Sequence, residues 1–146
     1  MNYDNIEILF AEDSLDDAVL TIRALEKSGF TNKLHHVKDG AEAFDFLYCK
    51  GPYARRNFSE KPKLILVDLK MPKVSGIQVL EKVKSDPDFR SIPVVILTSS
   101  QEDPDITRCY SLGANSYIVK PLDSNKFFDS IKEIGLYWMI LNQPAH

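Results

Sequence analysis

Two kinds of apolar segment alternate along this chain, and the alternation limits its fold more than any other feature. Short β-rich runs occur at Ile6–Ala11, Leu34–Val37, Leu64–Val67, Ile92–Leu97 and Ser116–Val119. Between them, apolar residues recur at helical spacing. Ala18, Ile22 and Leu25 mark a first helix, Ala43, Phe44 and Leu47 a second, and Ile77, Leu80 and Lys84, with Val83 apolar on the same side, a third. Ile106, Cys109, Tyr110 and Leu112 mark a fourth. Phe127, Ile131, Ile134, Trp138 and Leu141 form one stripe of a fifth. Strand and helix in strict alternation imply a parallel sheet with helices on both faces. Leu64-Ile65-Leu66-Val67 and Val94-Val95-Ile96-Leu97 are apolar at every position and suit central strands.

The punctuation agrees with this reading. Ser14 is placed to cap the first helix and Gly29 to end it, while Asp103-Pro104 reads as a cap followed by proline at the first helical position. Gly113 closes that fourth helix. Lys50 to Lys63 reads as a long surface loop, with the adjacent Arg55 and Arg56 solvated. No segment has the composition of a linker, so residues 1–146 are expected to form a single domain without an output domain.

Composition narrows the function. The net charge of -3 leaves no basic excess to attract nucleic acid. Cys49 and Cys109 form no C-x-x-C pair and have no histidines at zinc-site spacing, which suits a reducing cytoplasm. The start lacks the basic and apolar stretches of a signal peptide, and no apolar run approaches the ~20 residues that span a bilayer.

In an open parallel sheet, ligands bind beyond the carboxyl ends of the strands. Glu12 and Asp13 follow the first strand, Asp68 the third, Thr98 and Ser99 the fourth, and Lys120-Pro121 the fifth. Four strand ends thus send three carboxylates, two hydroxyls and one ammonium towards one edge. Two carboxylates at ~5 Å repel by roughly 3 kcal/mol at an effective dielectric near 20. A cation is therefore expected, and an all-oxygen ligand set favours Mg²⁺ over zinc. With the charge offset, one carboxylate can attack a phosphoryl group while Lys120 and Thr98 stabilise its oxygens.

Glu12-Asp13-Ser14, Asp68-Leu69-Lys70-Met71-Pro72 with Gly76, Thr98-Ser99 and Tyr117-Ile118-Val119-Lys120-Pro121 together resemble the receiver domain of bacterial and archaeal response regulators. The resemblance covers nearly the whole chain and implies a flavodoxin-like sheet in the order 2-1-3-4-5. It implies that Asp68 is the phosphoacceptor. It also implies that Asp13, Asp68 and the backbone carbonyl of Lys70 bind Mg²⁺, with Glu12 acting through water. Thr98 and Lys120 would bind phosphoryl oxygens, and Tyr117 would swing inward as Thr98 moves. Lys70 and Ser100 would tune the phosphoryl lifetime, and Lys120-Pro121 is where the family usually has a cis peptide. The implied phosphodonor is a sensor histidine kinase or phosphotransfer protein. The long loop and the Tyr137-Trp138 ending are similar to small regulators paired with phytochrome-type or hybrid kinases.

Blander readings compete at several positions. Thr98 alone suits a helix cap, Tyr117 a half-buried strand aromatic, and His35 and His36 an edge-strand pair. Asp16 and Asp17 suit the positive end of the first helix and read as structural, with Asp16 able to approach the site rim. A flavodoxin-like nucleotide binder would need a Gly/Ser/Thr-rich phosphate cradle after the first strand, where this chain has Glu12-Asp13-Ser14-Leu15-Asp16-Asp17. An aspartyl-phosphate phosphohydrolase would place D-x-D on the first strand, whereas Asp68-Leu69-Lys70 lies on the third and lacks the second acid. Leu136 to Leu141 is apolar on all sides, more than one core stripe uses, so a homodimer through the last helix is expected. The signal is expected to leave through protein contacts on the fourth helix, fifth strand and fifth helix.

Overall fold

The computed structural model describes residues 3–133 apart from 28, 31, 100 and 122. Its strands are β1 (Ile8–Ala11), β2 (Leu34–Val37), β3 (Leu64–Val67), β4 (Val94–Thr98) and β5 (Ser116–Val119). They alternate with α1 (Leu15–Lys27), α2 (Gly40–Leu47), α3 (Gly76–Ser85), α4 (Asp103–Ser111) and α5 (Ser124–Glu133). A 3₁₀ turn at Gly51–Tyr53 lies between α2 and β3. All pairings are parallel, as the alternation of elements implies, and the order is β2-β1-β3-β4-β5, as the family resemblance implies.

Successive side chains in a strand point to opposite faces, and the core divides accordingly. Leu9, Ala11, Ile65, Val67, Val94 and Ile96 pack with Ala43, Phe46, Val79, Leu80, Val83 and Cys109, so α2, α3 and α4 cover one face. Ile8, Phe10, Leu64, Leu66, Val95 and Leu97 pack with Ala18, Leu25 and Phe127, which places α1 and α5 on the other.

The boundaries differ from the sequence reading at three points. β1 starts at Ile8, because Glu7 and Ile8 both direct their N–H groups to Lys33 O. β4 starts after Pro93, which has no N–H for the ladder, and runs on to include Thr98, paired with Val119. In α4 the cap position is Glu102, with no side-chain capping bond, and Asp103 is already helical with Pro104 after it. Ser14 caps as expected: its Oγ accepts from the Asp17 N–H at 3.2 Å.

The Lys50–Lys63 loop is pinned rather than solvated throughout. Tyr53 is buried, and its hydroxyl donates to Glu42 Oε2 at 2.6 Å and lies 2.8 Å from His35 Nε2. Arg56 stacks over the Phe46 ring at 3.7 Å, donates to Glu60 O at 2.8 Å, and also reaches Phe46 O. Its partly buried guanidinium ties the loop to α2, which corrects the expectation of a solvated pair. Of the final-helix stripe, only Phe127 and Ile131 lie within the described residues; Ile134, Trp138, Leu141 and the Leu136–Leu141 segment lie outside them. Among the described residues no helix is long and apolar enough to cross a membrane.

Candidate functional site

The register of the parallel ladder builds the site. Ala11 is level with Val67, so the next residues on the two strands, Glu12 and Asp68, emerge side by side. Backbone bonds stitch the strand ends together: Glu12 N to Val37 O at 3.0 Å, Asp68 N to Ala11 O at 3.0 Å, and Lys120 N to Thr98 O at 2.8 Å. Gly76 fixes the loop behind Asp68. Its N–H donates to Leu69 O at 2.9 Å, and a Cβ there would stand 2.2 Å from Asp68 O.

Carboxylate oxygens of Glu12, Asp13 and Asp68 all lie within 4.8 Å of one another. Glu12 and Asp68 are buried, whereas Asp13 is exposed at the mouth. Lys120 Nζ sits among the acids, 2.5 Å from Glu12 Oε1, 2.8 Å from Asp17 Oδ2 and 3.5 Å from Asp68 Oδ2. The buried Glu12 Oε1 is thus satisfied by the Lys120 ammonium alone. Glu12 Oε2 accepts from the Ser14 N–H at 3.2 Å.

Electrostatics reflect the crowding. Burial pushes the Glu12 carboxyl up to about 7; Lys120 opposes the rise and the Asp68 charge adds to it. Burial pulls the Lys120 ammonium down, but its bonds to Asp17 and Glu12 outweigh that, and the net shift is upward. The lysine therefore stays charged.

Thr98 is fully buried at the end of β4. Tyr117, in β5, is half-buried and packs against the core on the α4 side, with Ile96 as its β4 neighbour. Lys70 is exposed in the β3–α3 loop, and Ser100 lies outside the described residues. The Lys120-Pro121 bond is cis. The sequence reading missed two contributors. Asp17, assigned only a helix-dipole role, grips Lys120. His36 reaches from the edge strand to Glu12 O, with Nε2 at 2.7 Å.

Residues 8–132 match the model of the response regulator receiver domain. The chain belongs to that family. It is 39% identical over 136 residues to the probable methanogenesis regulatory protein FilR2 of Methanothrix harundinacea, covering 93% of this chain and 85% of the relative. To Rcp1 of Synechocystis it is 36% identical over 132 residues, 90% and 88% of the two chains. The structure of the bacteriophytochrome response regulator RtBRR has 46% identity and a TM-score of 0.84, covering 94% of this chain and 82% of that one. The Mn²⁺-bound form of Rcp1 has 35% identity and a TM-score of 0.74, covering 94% and 98%.

Receiver domains of response regulators are signalling proteins that bind a divalent metal and interact with sensor histidine kinases. The nucleotide-binding and phosphohydrolase alternatives are not favoured. The donor set fits such a metal. It is all oxygen, and its three carboxylates within 4.8 Å of one another carry more negative charge than the one Lys120 ammonium offsets.

Proposed function

We propose that this protein is a phospho-aspartate switch, accepting a phosphoryl group on Asp68 from a sensor histidine kinase or phosphotransfer protein. One observation carries the reading: three carboxylates from two strand ends meet within 4.8 Å, with the Lys120 ammonium beside them. Asp68 is the acceptor because it follows a central strand, is held by Gly76 behind it, and faces Lys120. Glu12, Asp13, Asp68 and the backbone carbonyl of Lys70 are the proposed ligands of Mg²⁺. The bound ion would offset charge on the reacting oxygens.

In the transfer, an Asp68 oxygen bonds phosphorus as the donor's bond to phosphorus breaks and the leaving group keeps the electron pair. Lys120 stays protonated and offers donors to the phosphoryl oxygens. Thr98 offers its hydroxyl to another. The new group brings about -1.5 to -2 charges and three acceptor oxygens. Drawing Thr98 towards it opens space beside β5 for the Tyr117 ring, altering the α4–β5–α5 surface that partners meet. Lys70 and Ser100 are proposed to set how slowly the acyl phosphate hydrolyses; no other turnover is proposed.

Single-unit action over residues 1–146 is supported by FilR2 and Rcp1, matched over 85% and 88% of their own lengths. The acidic balance supports action through proteins rather than nucleic acid or membrane, and the two isolated cysteines suit the cytoplasm. The all-apolar Leu136–Leu141 run supports a homodimer. Replacing Tyr137 and Ile140 by polar residues should give a monomer by sedimentation that still accepts phosphate. Incubation with Mg²⁺ and acetyl phosphate should add one phosphoryl mass, absent in Asp68→Asn; stoichiometric labelling of that variant overturns the assignment.

A further inference from the structure

Asp17 stands outside every role proposed above, yet its Oδ2 is 2.8 Å from Lys120 Nζ, nearer than the 3.5 Å that separates Lys120 from Asp68. We infer that Asp17 is a positioning residue for phosphoryl transfer: it holds the Lys120 ammonium towards α1 and restrains it from engaging the phosphoryl group on Asp68. The inference rests on the reading of Asp68 as acceptor.

An ammonium has three N–H donors. Here one is directed to Asp17, Glu12 is in ion-pair contact at 2.5 Å, and Asp68 is beyond good hydrogen-bonding distance. A phosphoryl oxygen must therefore compete with Asp17 for a lysine already engaged. The aspartate also neutralises part of the charge that Lys120 would lend to the developing phosphoryl oxygens.

The fold does not require this grip. Ser14 caps α1 through the Asp17 backbone N–H, so the cap does not need the Asp17 side chain. That side chain is 42% exposed and borders a groove of about 710 Å³, shared with Leu20, Ala24, Ser99 and Pro121. The pair lines this groove and is open to solvent on the Asp17 side, so it is partly screened. With Asp17 open to solvent and Lys120 largely buried, the pair is expected to restrain the lysine by about two- to five-fold in rate.

The test uses the full chain, saturating Mg²⁺ and acetyl phosphate, with phosphorylation followed by intact mass. Asp68 Oδ bonds phosphorus as the acetyl O–P bond breaks, and acetate leaves with the electron pair. Asp17→Asn should react about two- to five-fold faster than the natural protein, with the half-saturating Mg²⁺ concentration unchanged. Asp17→Glu should restore the slower rate. Asp16→Asn removes the same charge from the same turn without touching the contact, and should react at the natural rate. Raising ionic strength should speed the unaltered protein and so narrow its gap to Asp17→Asn.

Equal acceleration in Asp16→Asn and Asp17→Asn overturns the inference in favour of general charge. So does an Asp17→Asn rate that is unchanged or lower, or a gap indifferent to salt. If the unaltered protein takes no phosphoryl group at all, the Asp68 reading itself falls and takes this inference with it.

Discussion

Replacing Gly76 by alanine sets two physical effects against each other at one atom. Gly76 is the first residue of α3, within the capping box of Ser75 and Gln78. Helix propensity alone favours alanine over glycine there by at most about 1 kcal/mol. The added Cβ, however, would lie 2.2 Å from Asp68 O, 2.8 Å from Leu69 Cα and 2.9 Å from Asp68 C. All three are backbone atoms, so no side chain can rotate away. Ordinary carbon–oxygen contacts start near ~3.3 Å, and relief requires a shift of roughly 1 Å in the β3–α3 loop or the start of α3. Overpacking of that kind costs about 1–3 kcal/mol. Against backbone the upper end applies, leaving a net loss of about 2 kcal/mol after the propensity gain. Urea unfolding should show a midpoint lower by about 1 M with an unchanged slope. Because the displaced carbonyl belongs to Asp68 itself, phosphorylation should slow by up to ~100-fold, the cost of a misplacement near 1 Å. A variant as stable as the parent and phosphorylated at the same rate would refute the reasoning.

Three further outcomes follow from the same geometry. Asp13 is exposed, so Asp13→Asn should leave the unfolding midpoint nearly unchanged while weakening Mg²⁺ binding and slowing phosphorylation together; undiminished phosphorylation in excess chelator would contradict the metal role. Thr98→Ala should still accept phosphate but fail to switch partner binding in a pull-down with and without phosphorylation, since a ligand shifts a population only through its differential affinity. Burial holds the His35 imidazole below its ordinary pKa, so below about pH 6.5 the unfolded chain binds more protons and His35-dependent stability is lost as pH falls. Glu12, pushed up to about 7, acts in the opposite sense without metal: folded protein binds the extra proton, and stability grows as pH falls through that value. Comparing urea midpoints of the natural chain and His35→Gln across this range in chelator should isolate the histidine slope.

The fold was legible because its signals are local. Strand runs such as Leu64–Val67, apolar on both faces, announced burial under helices on both sides, and Ser14 and Gly29 bounded α1 by their own backbone preferences. Acids and lysine at successive strand ends were legible for the same reason, since a parallel sheet delivers them all to one edge. What escaped depends on distance across the fold. Asp17 reaches Lys120 over 103 residues, and only its helical spacing from the buried Thr21 hinted that it faces inward. His36 meets the Glu12 carbonyl because β2 is the edge neighbour of β1, a pairing visible once the strand order is known. Arg56 looked solvated because its partners, the Phe46 ring and the carbonyls of Phe46 and Glu60, carry no opposite charge in the sequence.

The position of the phosphoryl group tests the central claim most directly. After reaction with acetyl phosphate and Mg²⁺, borohydride reduces an acyl phosphate on aspartate to homoserine, which peptide mass spectrometry can locate. The account predicts homoserine at position 68 alone. Reduction at position 13, or acid-labile label on His35 or His36 with position 68 unmodified, would contradict it.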